Sequence, residues 1–377
     1  MDFGFSKEQE MLKKAARQFA ETKVAPRVLE VDEKGDFPFD LVRQMGQMGL
    51  IGLVNSKEYG GSGMGHLARM IVIEEMARVY PSLGFFFQAG NLLMYALESF
   101  GNEEQKKRYI PDLCKGNKIS AFAVTEQSGG SDPSAMMTTA TRNGTGYVVN
   151  GRKAYITNAE VADVLGFVAK TNGSFSAFFV DKGTPGFEVT RREPRAGFRS
   201  ISVNELAFTD CHVPQANLIG QEGRGMAAAL PTISAIGRTG AAGVALGATE
   251  GAYEGALKFC RERVLYGKPI SDLQALQFML VDMNTDIEAA RWICYRPAVL
   301  LDQGKSVKDI GVEIARAKLM AVDVALKNCL KAQRAMGAYG QSPEYRVEMY
   351  LRDMLELLTA GGTQEIMKVV IGRAITN

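Results

Sequence analysis

Three short segments of the sequence combine hydroxyl, glycine and charged residues in ways that suit a phosphate group or a polar ring. TEQSGGSD at 125–132 follows a predicted strand, and its loop offers free backbone N–H groups to an anion. RVLYGK at 263–268 combines two cations, an aromatic ring and a glycine at a helix break, which suits a pyrophosphate. TAGGTQEIM at 359–367 places two glycines before a helix predicted to begin near Thr363, where exposed N–H groups favour phosphates or carbonyl oxygens. Each segment is also compatible with an ordinary turn or a solvated helix end, so none predicts a site alone.

The sequence contains few residues that could support histidine-based or metal-based catalysis. It contains two histidines, His66 and His212, and five cysteines scattered without a C-x-x-C pair. This inventory is poor for a zinc site or for a Ser-His or Cys-His nucleophile. His212, within DCHVP, is interpreted as a structural residue at a strand end. The cysteine pattern is typical of reduced thiols in a cytoplasmic protein. Catalysis would therefore depend on carboxylates, backbone groups or a bound cofactor.

The charge balance and hydropathy exclude two classes of partner. Lys and Arg number 44 against 42 Asp and Glu, so the sequence predicts no nucleic-acid footprint, which needs a concentrated basic face. No apolar stretch reaches the roughly 18 residues of a membrane span. The opening MDFGFSKEQE carries charges where a signal peptide would be apolar, so no such peptide is expected.

The elements that must position these segments fall into three zones. Residues 1–118 have helical periodicity, which includes segments over 65–79 and 103–114, and begin with a predicted capping box at Ser6 and Gln9. Residues 119–222 alternate with a period of two, between Gly, Asn and Pro turns, which predicts an antiparallel β domain that closes or packs on itself. Residues 223–377 are helical again, and the helical run over about 224–263 is rich in Gly and Ala, which predicts very close helix packing in a bundle. The 377 residues suffice for these three domains.

GRGMAA at 223–228 matches part of a dinucleotide-binding fingerprint. That motif needs a preceding parallel strand and a βαβ unit, and neither is predicted here. The segment is interpreted as the loop that leads into the helical bundle.

Taken together, ordered motifs along nearly the whole chain resemble those of the acyl-CoA dehydrogenases, flavoenzymes with a helical, β, helical plan. The motifs are FAVTEQSGGSD, KAYITNA, RERVLYGKPI with a following Gln, QRAMGAYG and RDMLELLTAGGTQEIM. The resemblance implies an α+β, mostly α fold with a C-terminal four-helix bundle. It also implies FAD as cofactor, an acyl-CoA substrate, an electron-transfer flavoprotein as acceptor, and a homo-oligomer, most often a dimer of dimers.

The same resemblance implies roles for individual residues. It places the first strand and its loop on one side of the flavin and the second strand on the other side. It places the end of the bundle at the FAD of a paired subunit. Ser131 and Arg238 are expected on the CoA and thioester side. The expected FAD contacts are Phe122, Val124, Thr125, Tyr155, Thr157, Arg263, Tyr266, Gln274, Gln333, Gly337, Thr363 and Glu365.

The sequence departs from the family at the catalytic base. Most members carry a Glu immediately before the Gly-Thr of the last motif, and this position is Gly361. A minority carry the Glu before the Arg matched by Arg238, and this position is Gly237. The backbone N–H of Gly361 is still expected to polarise the thioester carbonyl. Loss of a general base typically costs about 10²–10⁴-fold in rate, so ordinary α,β-dehydrogenation is expected to be weak.

Three interpretations follow from the missing base. In the first, the chain resembles ring-forming members such as cyclohex-1-ene-1-carboxyl-CoA dehydrogenase, where a 1,4-elimination uses an Asp on the helix at FFFQAGNLLMYAL. Here that helix carries Asn91, a neutral near-isostere, either as a natural pocket residue or as the product of a deleted base. In the second, the chain is a reductase or a flavin oxygenase. In the third, it is a non-catalytic FAD- or CoA-binding scaffold.

Overall fold

The computed structural model describes residues 4–376, and helices account for its first third. Ser6 caps the first helix, and its capping box with Gln9 is present as predicted. The helices are α1 (Lys7–Phe19), α2 (Val28–Lys34), α3 (Phe39–Gln47), α4 (Gly65–Val79), α5 (Pro81–Phe100) and α6 (Glu103–Cys114).

A β-sheet forms the centre of the chain, in the order β6-β7-β3-β2-β4-β5-β8, with β1 paired to β4. Most pairings are antiparallel as predicted, but β1 and β2 each pair with β4 in the parallel sense. A loop rather than a hairpin follows β1, so no tight turn imposes an antiparallel neighbour on it. The strands are β1 (Ser120–Ala123), β2 (Thr139–Asn143), β3 (Gly146–Thr157), β4 (Val164–Thr171), β5 (Ser174–Asp181), β6 (Phe187–Arg192), β7 (Val203–Pro214) and β8 (Leu218–Ile219).

The C-terminal part is a helical bundle with a small hairpin, formed by strands β9 and β10, after its second helix. The predicted divisions at 118/119 and 222/223 fall in the connections before β1 and after β8. The elements are α7 (Gly225–Thr232), α8 (Thr239–Glu262), β9 (Val264–Leu265), β10 (Lys268–Pro269), α9 (Gln274–Asp302), α10 (Gly311–Met336), α11 (Val347–Leu357) and α12 (Gln364–Thr376).

The helical run predicted over 224–263 is interrupted. A π-helical turn, Ile233–Arg238, separates α7 from α8. Pro231, inside α7, cannot donate a backbone hydrogen bond, and a π turn shifts the hydrogen-bond partner of each carbonyl. The interruption leaves carbonyl groups that side chains from other helices can bind.

Glycines on α8 allow α4 to approach closely, as the Gly- and Ala-rich sequence predicts. A Cβ on Gly247 would lie 2.2 Å from the carbonyl oxygen of Glu74, and one on Gly251 would lie 2.1 Å from that of Arg78. Real side chains do not tolerate such distances, so any larger residue would force the two helices apart.

Some sequence predictions concern absences, and the structure addresses them only within residues 4–376. There, no helix has the length and apolar character that a membrane crossing requires. Over the same residues, no group of His, Cys, Asp and Glu side chains could hold a metal ion. All five cysteines are buried free thiols. His212 lies near the end of β7, as predicted, and its side chain is exposed.

Candidate active site

The end of β1 and the middle of β3 lie side by side, which brings together two of the predicted flavin-binding segments. The backbone N–H of Ala154 donates to the carbonyl of Thr125 over 3.0 Å. Tyr155, the next residue, has a left-handed φ of 58° and is 66% exposed. A non-glycine residue in this conformation within a strand is unusual, and the irregularity turns the phenol ring outward. Val124 and Thr125 are half-buried beside it.

Phe122 and Thr157 are less open than the resemblance implies. A Cβ on Gly166 would lie 2.5 Å from the Phe122 ring, so the ring packs inward on β4 and only 9% of Phe122 is exposed. Any contact of Phe122 with a ligand on the open side therefore involves its backbone. Thr157 pairs with Val203 at the end of β3 and is half-buried.

A buried ion pair holds the loop after β1. Lys153 Nζ donates to Glu126 Oε1 over 2.7 Å and to the carbonyl of Val124 over 3.3 Å. Burial lowers the pKa of Lys153 to about 8, although Glu126 opposes the shift. Burial also disfavours the Glu126 anion, but the Lys153 charge and the N–H groups of Met137 and Thr138 outweigh it and lower the pKa of Glu126. The pair joins residues of two sequence motifs, and no signal within either motif predicts the contact.

The two positions where the family places its glutamate face one another. A Cβ on Gly361 would lie 3.5 Å from both the carbonyl carbon and the carbonyl oxygen of Gly237. Gly361 has a φ of 68° and Gly362 a φ of 106°, so this turn uses conformations that favour glycine. A Cβ on Gly237 would have its nearest neighbours in Gln88 Nε2 at 3.4 Å and in the side chains of Ile233 and Leu92. Neither position therefore contributes a side chain to the volume beside these two backbones, and the side chains of Gln88, Ile233 and Leu92 bound it at Gly237.

Polar side chains surround this volume and bind its backbone carbonyls. Arg238 donates through Nε to the carbonyl of Gly361 and through Nη1 to Ser234 Oγ, both over 3.2 Å. Gln88 Nε2 donates to the carbonyl of Gly237, also over 3.2 Å. Arg238 forms no ion pair within residues 4–376, and burial lowers its pKa. The site thus has a guanidinium where other family members would also have a carboxylate.

Lys318 on α10 holds the loop that carries Gly361. Its Nζ donates to the carbonyl of Leu358 over 3.3 Å and to Gln364 Oε1 over 2.7 Å. Burial lowers the pKa of Lys318 to about 8. The side chain lies wholly inside the protein, so it holds the loop from the buried side.

The remaining predicted contacts lie on two surfaces. Thr363 caps α12, because its Oγ1 accepts the backbone N–H of Ile366 over 3.2 Å. Glu365 lies in the first turn of α12, and Ser131 is exposed in the loop after β1. The other surface is at the end of the bundle, where α8 gives way to the hairpin and α10 ends. It contains Arg263, whose guanidinium lies 5.4 Å from the centre of the Tyr339 ring, with Tyr266, Gln274, Gln333 and Gly337.

Comparison with protein-family models matches three consecutive parts of the chain. The acyl-CoA dehydrogenase N-terminal domain matches residues 6–117, the middle domain residues 121–211 and the C-terminal domain residues 223–376. The chain belongs to the acyl-CoA dehydrogenase family. Membership confirms the predicted fold, FAD as cofactor and an oxidoreductase acting on the CH–CH bond of a CoA thioester.

Individual relatives agree with the family. A short-chain-specific acyl-CoA dehydrogenase of Clostridium acetobutylicum is 39% identical over 100% of both chains. A cyclohex-1-ene-1-carbonyl-CoA dehydrogenase of Syntrophus aciditrophicus is 37% identical over 98% of this chain and 90% of its own. The structure of butyryl-CoA dehydrogenase from Megasphaera elsdenii superposes with a TM-score of 0.96 at 35% identity and covers 100% of both chains.

The residues of this acyl-CoA dehydrogenase fit the cofactor that membership implies. Tyr155 offers an exposed ring beside the open backbone of Val124 and Thr125, which suits a planar ring system. Tyr266 is 89% exposed at the tip of the hairpin, on a surface with Arg263 that no part of residues 4–376 covers. Such an aromatic and basic surface suits the phosphates and rings of a second subunit's FAD.

Asn91 occupies the place on α5 where the ring-forming members of the family are expected to carry an Asp. It lies one turn after Gln88 and is wholly buried. Its Nδ2 donates to the carbonyl of Ile51 over 3.2 Å, and its Oδ1 has no hydrogen-bond partner within the described residues. The amide nitrogen of Asn91 is therefore engaged, whereas its amide oxygen has no partner among the described residues.

Proposed function

We propose that this acyl-CoA dehydrogenase oxidises a cyclic, conjugated CoA thioester, of the cyclohex-1-ene-1-carboxyl-CoA type, by 1,4-elimination. The observation that carries the proposal is the pair of glycines at both usual base positions. Gly361 and Gly237 face each other without a side chain, beside Arg238. A ring is bulkier than a straight chain, and the space of two absent carboxylates suits it.

The thioester is held by backbone and guanidinium groups in this proposal. The N–H of Gly361 donates to the thioester carbonyl, and Arg238 fixes the same turn through the carbonyl of Gly361. Ser131 lies on the exposed loop expected to meet CoA. Bound FAD supplies the hydride acceptor. In a 1,4-elimination, a proton leaves one ring carbon and a hydride leaves a carbon three bonds away. The double bond between the two central carbons becomes a single bond, and a new double bond forms on each side of it.

The elimination also needs a group that accepts the proton. Asn91 cannot accept the proton, since its amide is neutral. Two explanations compete: a natural Asn that lines the acyl pocket, or a version of the enzyme from which the base has been removed. In the second explanation, an Asp at position 91 would be buried beside the carbonyl of Ile51, which would raise its pKa. Proton abstraction by that Asp would then increase as the pH rises.

A reductase or flavin oxygenase is the second candidate. The observation that favours it is the same pair of empty positions, because neither activity needs a base that removes the α-proton. A scaffold that binds FAD or CoA without turnover is the third.

For the enzyme forms, we propose an electron-transfer flavoprotein as the redox partner and a dimer of dimers as the assembly. The exposed surface around Arg263 and Tyr266 supports a second subunit. Location in the cytoplasm stays a prediction from the cysteines.

The proposal is tested by product analysis with cyclohex-1-ene-1-carboxyl-CoA and an artificial electron acceptor. The wild type, Asn91→Asp and the control Asn91→Ala are compared by mass spectrometry and by the position of the new double bond. A diene formed by the wild type or created by Asn91→Asp supports the proposal. Substrate-dependent oxygen consumption with a hydroxylated product would support the oxygenase instead. No product from any variant, with bound FAD unchanged, would support the scaffold.

A further inference from the structure

Arg69 is a fully buried guanidinium without a counter-ion. It lies on α4 with no exposed surface. Its Nη2 donates to the carbonyl of Ile236 over 2.7 Å and its Nη1 to Thr239 Oγ1 over 3.2 Å. Its Nε has no hydrogen-bond partner and the side chain forms no ion pair within residues 4–376. A buried charge of this kind is costly, so its presence calls for a compensating interaction.

The nearby carboxylates are bound to other groups and do not neutralise Arg69. On α4 itself, Glu74 is bound by Arg291 over 3.0 Å, and Glu75 is bound by Arg17 over 2.8 Å. At the end of α9, Asp302 accepts the backbone N–H groups of the first turn of α4.

The other titratable groups around Arg69 do not supply a negative charge at neutral pH. On α4, burial and Arg69 together lower the pKa of His66 to about 3, so the ring is neutral. On α5, burial raises the pKa of Tyr95, so its phenol is neutral too. Arg238, in the π turn, and Lys318, on α10, are themselves cations. Burial lowers the pKa of Arg69 to about 9, so it also remains charged.

The guanidinium lies immediately behind the volume between Gly237 and Gly361. Ile236, whose carbonyl it binds, directly precedes Gly237. A Cβ on Gly240 would lie 2.6 Å from Arg69 Nη2 and 3.0 Å from Gln88, the residue that binds the carbonyl of Gly237. These contacts place the guanidinium next to the backbone that carries Gly237. A buried charge is weakly screened over distances of about 10 Å.

We propose that Arg69 is an electrostatic positioning residue that favours the anionic, enolate form of a CoA thioester bound between Gly361 and Gly237. The inference rests on the proposed thioester site. When a conjugated thioester loses a proton from the ring carbon that is linked to the carbonyl through the double bond, the electron pair spreads through that double bond onto the carbonyl oxygen. A fixed positive charge in a low-dielectric interior stabilises that anion without touching it. This role is distinct from the hydrogen bonds of Arg69, which position the π turn.

The test uses acetoacetyl-CoA with the FAD-bound enzyme. The α-proton of this ligand is acidic enough to pass to solvent without an enzymatic base, and the flavin stays oxidised. Its enolate, stacked on oxidised flavin, gives a long-wavelength charge-transfer absorption. The pH midpoint of that absorption is measured for wild type, Arg69→Gln, Arg69→Lys and Thr239→Val. Thr239→Val is the matched control, because it removes a hydrogen bond to Arg69 but no charge.

The expected result is a midpoint about one pH unit higher in Arg69→Gln, the shift that a unit charge at about 10 Å produces at an effective dielectric constant of about 20. Arg69→Lys and Thr239→Val should retain the wild-type midpoint. Arg69→Met replaces Arg69→Gln if the latter does not fold. An unchanged midpoint in the uncharged variant, or an equal shift in Thr239→Val, would overturn the inference.

Crotonyl-CoA, which has no α-proton of that acidity, separates this inference from the proposed function. If it perturbs the flavin spectrum equally in all variants while the acetoacetyl-CoA midpoints coincide, the thioester site stands and only the role of Arg69 fails. If neither ligand perturbs the flavin of the wild type, the proposed function fails and the inference fails with it.

Discussion

A Cβ built on Gly361 would lie 3.5 Å from the carbonyl carbon and the carbonyl oxygen of Gly237, so it would be in van der Waals contact with that backbone. Contacts at that distance are ordinary van der Waals contacts and do not exclude a side chain. The spacing therefore leaves room for the first side-chain atom of a residue at position 361. This relationship makes the missing base a property that substitution can test.

Gly361→Glu is expected to create α,β-dehydrogenation of a straight-chain thioester. A carboxylate would project towards the Gly237 backbone, and we expect flavin bleaching by butyryl-CoA to accelerate about 10²-fold or more. The φ of 68° at this position should cost about 1 kcal/mol of stability, since a Cβ disfavours that conformation. Stopped-flow absorbance measures the rate.

Gly361→Gln is the matched control for that variant. It has the same size and the same backbone strain but cannot accept a proton. Equal rates in the Gln and Glu variants would show that pocket shape, and not the lost carboxylate, limits straight-chain substrates.

Lys153→Met is expected to reduce FAD retention. It leaves Glu126 buried without its partner, which typically costs about 3–5 kcal/mol. It also frees the carbonyl of Val124 in the segment proposed to contact the flavin. The flavin-to-protein absorbance ratio and the thermal midpoint should both fall.

Lys182→Met is the control for Lys153→Met, because Lys182 is exposed on the same domain. The double variant Lys153→Met/Glu126→Gln should recover part of the thermal midpoint, since it leaves no unpaired charge. If Lys153→Met retains its FAD as well as Lys182→Met does, then the ion pair does not position the loop.

The stability of the fold should depend on His66 below neutral pH. Its folded pKa, about 3, is lower than its ordinary value of 6.5. The unfolded chain therefore binds a proton that the folded chain refuses, so stability is full above pH 6.5 and falls as the pH decreases towards 3. Between pH 7.5 and 5.5, wild type should lose about 1 kcal/mol more than His66→Gln. Urea denaturation followed by circular dichroism at both pH values checks this, and parallel losses in the two proteins would contradict it.

Local signals in the sequence predicted much of the fold. The helical periods over 65–79 and 103–114 coincide with α4 and α6, and the capping box at Ser6 is present. The run over 224–263 shows the limit of such signals. Its composition is helical throughout, and the π turn at Ile233–Arg238 depends on packing against α4 and α5.

The buried polar residues of the site could not be predicted in the same way. Arg69 binds the carbonyl of Ile236, which is 167 positions away in the sequence. Lys318 and Gln364 are 46 positions apart. No pattern within one helix distinguishes such a cation from one that points to solvent, because its partners come from other elements. The glycines at 237 and 361 were visible in the sequence, but their facing arrangement required the fold.

Anaerobic titration of the FAD-bound protein with acyl-CoA thioesters tests whether the protein oxidises a cyclic thioester and not a straight-chain one. The flavin has a characteristic visible absorption band at about 450 nm. Its absorbance would be followed with straight-chain, branched and cyclohexene-carboxyl thioesters. Bleaching by the cyclic thioester is expected in the wild type or, if the base has been removed, in Asn91→Asp. Straight-chain thioesters are expected to shift the flavin spectrum without bleaching it. Rapid bleaching of the wild type by a straight-chain thioester would contradict it, because that reaction needs the base that Gly361 and Gly237 lack.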